Sequence, residues 1–331
     1  MEKILSVIEL SKRFPYKTNY LGRTLSYLHA VNNVSFDLYK NEILGLVGES
    51  GCGKSTLGKS IVRVEEPSGG SVVYHDGNKE TNLLGLKKNE FRSFKKKIRM
   101  VFQDPFTSLN PRLPVKDIIS EPLKIHTTLS EVEINKSVFN IMERVGLDPN
   151  YMRRFPHSFS GGQRQRIAFA RALIMKPDVL IADEPVSALD VSIQAQIINM
   201  ILELTKELNL SIIFISHDLS VVRMISDRIA VMYYGQIVEI GYTNDIFKSP
   251  KHPYTEALLS AVPIINNHPL NNIKLDGALP NLTEPPKGCI FSSRCSYSKE
   301  FCLRNLPSVD NSDSKNHFFR CHYDLTLRGL F

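Results

Sequence analysis

"GLVGESGCGKSTLGKSIVRV", Gly45–Val64, decides the fold class of this 331-residue chain. An apolar, β-branched run, Ile43–Val47, leads into Gly48-x-x-x-x-Gly53-Lys54-Ser55, and a helix-forming stretch follows at once. Strand, glycine loop and helix in that order make a phosphate cradle. The glycines let the loop bend so that successive backbone N–H groups face one anion, and the helix N-terminus adds about half a unit of positive charge behind them. Lys54 is then expected to reach the β- and γ-phosphates of a nucleotide, and Ser55 to ligate Mg2+. Cys52 is read as a small side chain in the loop whose thiol opens the site to alkylation or oxidation.

A nucleotide site needs a second strand that carries carboxylates, and "VLIADEP", Val179–Pro185, supplies it. Its apolar run ends in Asp183 and Glu184, which places both acids at the mouth of a buried strand. In phosphoryl transfer the first acid holds Mg2+ while the next positions and polarises the attacking water. "FSGGQRQR", Phe159–Arg166, has Ser160 as a helix cap and Gln163 at the capping-box spacing. Gly161 and Gly162 permit close backbone approach and leave that helix N-terminus bare for a phosphate. Because the chain already has a phosphate loop for its own site, this second anion-binding end is read as serving the nucleotide of another subunit.

Working outward, short β-branched runs alternate with helix-period segments, which argues an α/β layer fold. Strands are expected at Ile43–Val47, Met100–Phe102, Val179–Ala182 and Ser211–Ile215. A helical insertion is expected over about 111–160, with Ser130 and Glu133 forming a capping box. After Pro250 the chain turns rich in Pro, Asn and Ser. The expected organisation is therefore an α/β core over 1–250 and a small C-terminal domain over 251–331.

The composition, 42% hydrophobic and 23% charged, is that of a globular protein, and no apolar run is long enough to span a bilayer. The opening "MEKILSVIELSKRF" reads as no secretory signal, so the chain is expected to stay in the cytosol. Net charge is +7, and "KKNEFRSFKKKIR", Lys87–Arg99, holds seven basic residues against one acid. That run is read as a solvated helix face rather than a nucleic-acid or membrane surface, since an apolar strand follows it.

Four of the five cysteines crowd the tail: Cys289, Cys295, Cys302 and Cys321, spaced C-x5-C-x6-C-x18-C. In a reducing compartment they are metal ligands rather than disulfide partners. Zinc sites generally present C-x2-C hooks, absent here, whereas four thiolates are the full ligand set of a 4Fe-4S cluster. On the residues alone a cluster, Zn2+ and unliganded core cysteines all stay open. His317 and His322 are substitutes for a thiolate or simply solvated.

Together these segments resemble the ATP-binding cassette of ABC transporters over about Ile4–Ser249. Gly48, Glu49, Ser50, Gly51, Cys52, Gly53, Lys54, Ser55 and Thr56 match its Walker A loop, and Gln103 matches the Q-loop glutamine. Phe159–Gln163 matches the signature, with Phe in place of the more usual Leu. Asp183 and Glu184 match Walker B, "SALD" at Ser187–Asp190 the D-loop, and His217 the switch histidine. The resemblance implies a P-loop NTPase fold and two cassettes sandwiching two ATP molecules head to tail, Walker A of one facing the signature of the other. It implies Glu184 as general base, His217 on the γ-phosphate, and Gln103 sensing Mg2+ and water while its loop contacts a membrane subunit. Phe14 takes the position of the adenine-stacking aromatic, with Tyr16 close by.

"VFQDPFTSLNPR", Val101–Arg112, and "SPKHPYTEALLSAVP", Ser249–Pro263, resemble the oligopeptide/dipeptide import branch, and the cassette looks closer to its F-type than its D-type subunit. The resemblance implies ATP hydrolysis that powers peptide import. The implied partners are a D-type ATPase, two integral membrane permeases and an extracytoplasmic solute-binding protein, with the chain peripheral on the cytoplasmic face of the cell membrane. In that branch such a tail cysteine set holds a 4Fe-4S cluster, so the resemblance puts the cluster first, Zn2+ second and unliganded core cysteines third. A nickel importer shares every motif. A soluble ABC ATPase acting on nucleic acid or ribosomes is the reading from another class; such proteins usually carry two cassettes, and one Walker A is present here.

Overall fold

Two long strands open the chain, β1 (Lys3–Thr18) and β2 (Thr24–Tyr39), in a computed structural model that describes residues 2–20, 24–261, 283, 286–309 and 317–323. There follow β3 (Ile43–Val47), α1 (Lys54–Ile61), β4 (Gly69–Asp76), β5 (Lys79–Asn82), α2 (Lys88–Phe94), β6 (Ile98–Val101) and the short α3 (Pro105–Ser108). Next come α4 (Val115–His126), α5 (Glu131–Arg144), α6 (Gly161–Leu173), β7 (Val179–Asp183), α7 (Val191–Leu208) and β8 (Ser211–Ile215). The chain closes with α8 (Leu219–Ile225), β9 (Arg228–Tyr233), β10 (Gln236–Tyr242), α9 (Thr243–Lys248), α10 (Pro253–Ser260), α11 (Glu300–Arg304) and β11 (Phe318–Phe319). Contacts divide it into two units: Met1–Leu5, Leu38–Ile43 and Tyr74–Ile215, and Ser6–Asp37, Leu44–Val73 and Ser216–Phe331. Of the expected C-terminal domain, residues 262–282, 284–285, 310–316 and 324–331 lie outside the described residues.

In the first unit β6, β7 and β8 run parallel, with Ile98 opposite Val179 and Val179 opposite Ser211. Every residue of β7 and β8 is buried, which is why both read as unbroken apolar runs rather than alternating ones. The expected strand Met100–Phe102 is instead Ile98–Val101. Its register against β7 begins at Ile98, and the N–H groups of Asp178 and Val179 both donate to the Lys97 carbonyl, so the ladder starts inside the basic run. The 111–160 stretch is helical: α4 packs on α5 and α6, and Ser130 and Glu133 form the expected capping box. In α2 only Phe91 is buried, and Lys97 pairs with Asp76 at 2.7 Å, a solvated face as expected.

In the second unit β3 pairs parallel with β9, and β9 turns through Tyr234 and Gly235 into antiparallel β10. Both turn residues have positive φ, 49° and 75°, the conformation a two-residue hairpin requires. The tail strand β11 adds to β10, with Glu239 opposite Phe319. Past Pro250, α10 begins at Pro253, whose missing N–H costs nothing at a first helical turn.

Candidate nucleotide site

The phosphate loop lies in the second unit, between β3 and α1. Gly48 and Gly53 have φ of 152° and 107°, and a Cβ would collide with the Met232 carbonyl at the first and the Ala30 carbonyl at the second. Glycine is thus imposed twice, by conformation and by space. Lys54 is buried, its ammonium donating to the carbonyls of Gly48 at 2.6 Å and Glu49 at 3.0 Å, which centres the charge in the loop. Ser55 and Thr56 follow half-buried in the first turn of α1. Cys52 is 2% exposed and burial pushes its thiol up, so the expected reactivity is overturned: the group is protonated and covered. His217, exposed, sits just past the end of β8, where the Asp218 carboxylate accepts from the N–H groups of Ser220 and Val221 and starts α8. On β1, Phe14 is half-buried with the Lys12 ammonium 4.6 Å from its ring centroid, and Tyr16 is exposed.

The first unit carries the acids. Asp183 ends β7 at 1% exposure, and Glu184 follows in the left-handed region at φ 45°. A non-glycine residue there stores strain of about 1–3 kcal/mol and persists only when its surroundings hold it. Here the Glu184 N–H donates to the Ile215 carbonyl at 2.9 Å, and the Ser187 hydroxyl donates to the Glu184 carbonyl at 3.1 Å. Two residues singled out 81 positions apart in the sequence meet directly: the Gln103 amide donates to the Glu184 carboxylate at 3.1 Å.

The signature helix α6 starts as read, with the Gln163 N–H donating to the Ser160 hydroxyl at 3.3 Å and the Gln163 side-chain Oε1 accepting from the Ser160 N–H at 3.0 Å. Gly162 also does something the sequence did not disclose. A Cβ there would stand 2.5 Å from Ile193 Cγ2, so the glycine lets α6 pack on the first turn of α7. That turn is capped by Asp190, which accepts from Ile193 N–H at 3.0 Å and from the Ser192 hydroxyl at 2.8 Å. These bonds, Ser192 first, hold the Asp190 carboxyl below its ordinary value. Signature and D-loop residues are thereby brought together.

The tail cysteines converge. Cys289, Cys295, Cys302 and Cys321 line one cavity of about 630 Å³ together with His252, Phe291 and His322. Burial pushes the Cys289 thiol up and that of Cys295 to about 11. Among the described residues, no three or more His, Cys, Asp or Glu side chains stand close enough to hold one metal ion. His317 is neither solvated nor a thiolate substitute: it is buried, its Nε2 2.8 Å from a carboxylate oxygen of fully buried Glu239.

Three residues of the second unit escaped the sequence reading. Glu239 also accepts the N–H groups of Lys251 at 2.7 Å and His252 at 2.9 Å. Tyr254, fully buried, accepts the N–H of Glu49 at 2.8 Å. Arg294 grips the Glu49 carboxylate with both guanidinium nitrogens, at 2.6 and 3.0 Å, which raises its pKa further. For Tyr254 the signal was the string "SPKHPYTEALLSAVP"; nothing local marked Glu239 or Arg294, whose partners His317 and Glu49 lie far along the chain.

Residues 31–187 match the ABC transporter family, and residues 238–302 match the oligopeptide/dipeptide transporter C-terminal region. The oligopeptide transport ATP-binding protein AppF of Bacillus subtilis is 47% identical over 325 residues, 97% of both chains. The dipeptide transport ATP-binding protein DppF of Haemophilus influenzae is 48% identical over 94% of both, and the oligopeptide transport ATP-binding protein OppF of Escherichia coli 45% over 93% of both. Among solved structures, the ATP-binding cassette MJ0796, in a dimeric post-hydrolysis state with ADP and Pi, superposes with a TM-score of 0.62 at 27% identity, covering 72% of this chain and 99% of its own. The cbiO1 protein of Clostridium perfringens, part of the ABC transporter complex cbiONQ, gives a TM-score of 0.62 at 31% identity, covering 75% and 91%. The α/β fold is thus that of the ABC ATPases, and the chain belongs to the ABC transporter ATP-binding proteins, in their oligopeptide/dipeptide branch of F-type relatives.

Proposed function

We propose that this chain is the ATP-hydrolysing subunit of an ABC importer of di- or oligopeptides. The observation that carries the reading is a complete phosphate loop in the second unit, with a bonded Gln103–Glu184 pair in the first, on a chain that matches relatives named for peptide transport along almost its whole length. Those names favour a peptide over nickel as the solute. The same names favour a transport role over action on nucleic acid.

In this reading the backbone of Gly48–Thr56 and the Lys54 ammonium hold the β- and γ-phosphates, while Phe14 stacks on adenine. Ser55 and Asp183 ligate Mg2+, with Gln103 reporting on the ion and the water. Glu184 takes the proton from attacking water, its carboxylate oriented by the Gln103 amide, and His217 contacts the γ-phosphate. Ser160, Gly161, Gly162, Gln163 and Asp190 face the nucleotide of a second, D-type subunit in a head-to-tail dimer; MJ0796, dimeric with ADP and Pi, supports the pairing of two cassettes. The pair works beneath two membrane permeases fed by an extracytoplasmic binding protein, on the cytoplasmic face of the membrane. Closure drives transport because nucleotide binds the closed dimer better than the open one.

The core is assigned to 1–250, with the helical insertion over 111–160 and the cysteine-bearing domain over 251–331. The four cysteines that line one cavity would hold a 4Fe-4S cluster, the first reading of this set. Zn2+ on the same four cysteines is the second reading. The cluster would supply folding energy to a segment poor in apolar residues.

Glu184→Gln tests the assignment. The variant is expected to bind ATP while hydrolysis falls at least about a hundredfold and peptide uptake by the reconstituted complex stops. Wild-type turnover would sink the role of Glu184. Recovery of the wild-type chain as a soluble, ribosome-bound species would sink the transport reading.

A further inference from the structure

We propose that the cysteine-bearing tail positions the phosphate loop, with Arg294 and Tyr254 holding Glu49 and thereby setting nucleotide affinity. The inference rests on the nucleotide reading of the loop and extends it to residues over 200 positions away. Glu49 is the second residue of the loop, and all three of its polar groups are engaged. Its carbonyl accepts from Lys54 at 3.0 Å, inside the loop. Its N–H donates to the Tyr254 hydroxyl at 2.8 Å, across 205 residues. Its carboxylate receives the Arg294 fork across 245 residues, with the Arg294 side chain only 5% exposed. Two of the three anchors therefore come from the tail.

The anchors are themselves fixed. Tyr254 packs on Tyr233 at 4.6 Å and on Phe291 at 5.5 Å between ring centroids, and the Arg294 guanidinium lies 5.9 Å from the Tyr233 centroid. Phe291 and Arg294 share a tight turn between Cys289 and Cys295: Ser292 N–H donates to the Cys289 carbonyl, and Arg294 N–H to that of Phe291, each at 3.0 Å. Whatever fixes Cys289 and Cys295 also fixes the guanidinium.

Charge makes this consequential. A carboxylate in a loop that binds polyphosphate opposes its ligand, and Arg294 cancels that charge while its planar fork fixes the carboxylate in one orientation. Arg294 is thus a positioning residue, acting on nucleotide through Glu49.

The test is titration of the full chain with Mg·ATP, as wild type, R294A, R294K, E49Q and E49Q/R294A, alongside steady-state ATPase kinetics. R294A is expected to raise Kd about tenfold, with the effect falling on KM rather than kcat. R294K, which keeps the charge and loses the fork, recovers part of the affinity, and E49Q/R294A stays within twofold of E49Q. Hydrogen exchange on the unsubstituted chain gives a readout that needs no variant: Mg·ATP is expected to slow exchange over residues 289–305. A Kd for folded R294A within twofold of wild type, the same loss from R294A in the E49Q background, or exchange over 289–305 indifferent to bound ATP would each overturn the proposal. A wild-type chain that binds no Mg·ATP would overturn the nucleotide reading beneath it.

Discussion

Glu239→Gln exchanges one carboxylate oxygen for an amide nitrogen and is expected to release the segment that carries the HPY string. In the folded chain one oxygen of fully buried Glu239 accepts from Lys251 N–H at 2.7 Å and lies 2.8 Å from His317 Nε2, while the other accepts from His252 N–H at 2.9 Å. A carboxylate satisfies three donors because it is acceptor-only; an amide offers one acceptor oxygen and two donors. If the amide oxygen faces Lys251 and His317, its NH2 confronts His252 N–H. If it is flipped, His317 can answer with its other tautomer, but Lys251 N–H confronts the NH2. Either orientation leaves one buried backbone N–H without an acceptor, at about 1–3 kcal/mol, and strips the charge from the surviving bonds, at about another 1 kcal/mol. A loss of about 3 kcal/mol is roughly a hundredfold in a local opening equilibrium. The assay is native-state hydrogen exchange, read over α10 and over residues 317–320 of wild type and E239Q. Exchange there is expected to accelerate about a hundredfold while β7 and β8 of the first unit stay unchanged. Rates within threefold of wild type in both segments would refute the reasoning, because the three bonds would then contribute nothing net.

Two further outcomes follow from the tail. Anaerobically purified chain is expected to carry stoichiometric iron and acid-labile sulfide on Cys289, Cys295, Cys302 and Cys321; stoichiometric zinc in their place would overturn the cluster assignment. His252 is 1% exposed and burial pushes its pKa down to about 3. Below about pH 6.5 the unfolded chain therefore takes up a proton that the folded one refuses, so stability falls as pH drops from there toward 3, by about 2 kcal/mol at pH 5. His252→Asn keeps a side chain able to cap α10 and is expected to flatten that fall in urea midpoints between pH 7.5 and 5.0; an equal fall in the variant would refute the assignment.

The legible parts of this protein are those whose determinants lie within one turn or one strand. The glycine spacing before Lys54, the capping boxes at Ser130 and Ser160, and the buried runs of β7 and β8 each announce themselves over fewer than ten residues. Failures begin where partners are distant or a conformation is rare. Nothing local marks Glu184 as left-handed, since that backbone is held by the carbonyl of Ile215 on a neighbouring strand. The turn at Tyr234–Gly235 did carry a readable signal, an X-Gly pair between two apolar runs, and it would have placed β9 and β10. Gly162 was correctly expected to allow close approach, but the approaching group is Ile193 of α7, and no spacing in the sequence reveals a packing partner.

The HPY string shows how a motif that serves only as a family label in sequence becomes a mechanism in structure. His252 accepts the Tyr254 N–H through Nδ1 at 3.1 Å and caps α10; Pro253 supplies a first turn that needs no N–H. Glu239 takes the two N–H groups that precede the helix, which fixes where it starts. With cap, start and first turn set, Tyr254 has no freedom left in its backbone, and its hydroxyl is delivered to Glu49. Removing any one of these leaves the others without a purpose that their burial would justify, since a buried carboxylate and a buried neutral imidazole both weigh against stability unless they are bonded. The costly polar groups of the tail thus make sense as a single device, one that ends on the phosphate loop rather than on the cysteines, and this is the physical reason to expect the C-terminal region to act on nucleotide binding rather than to sit beside it.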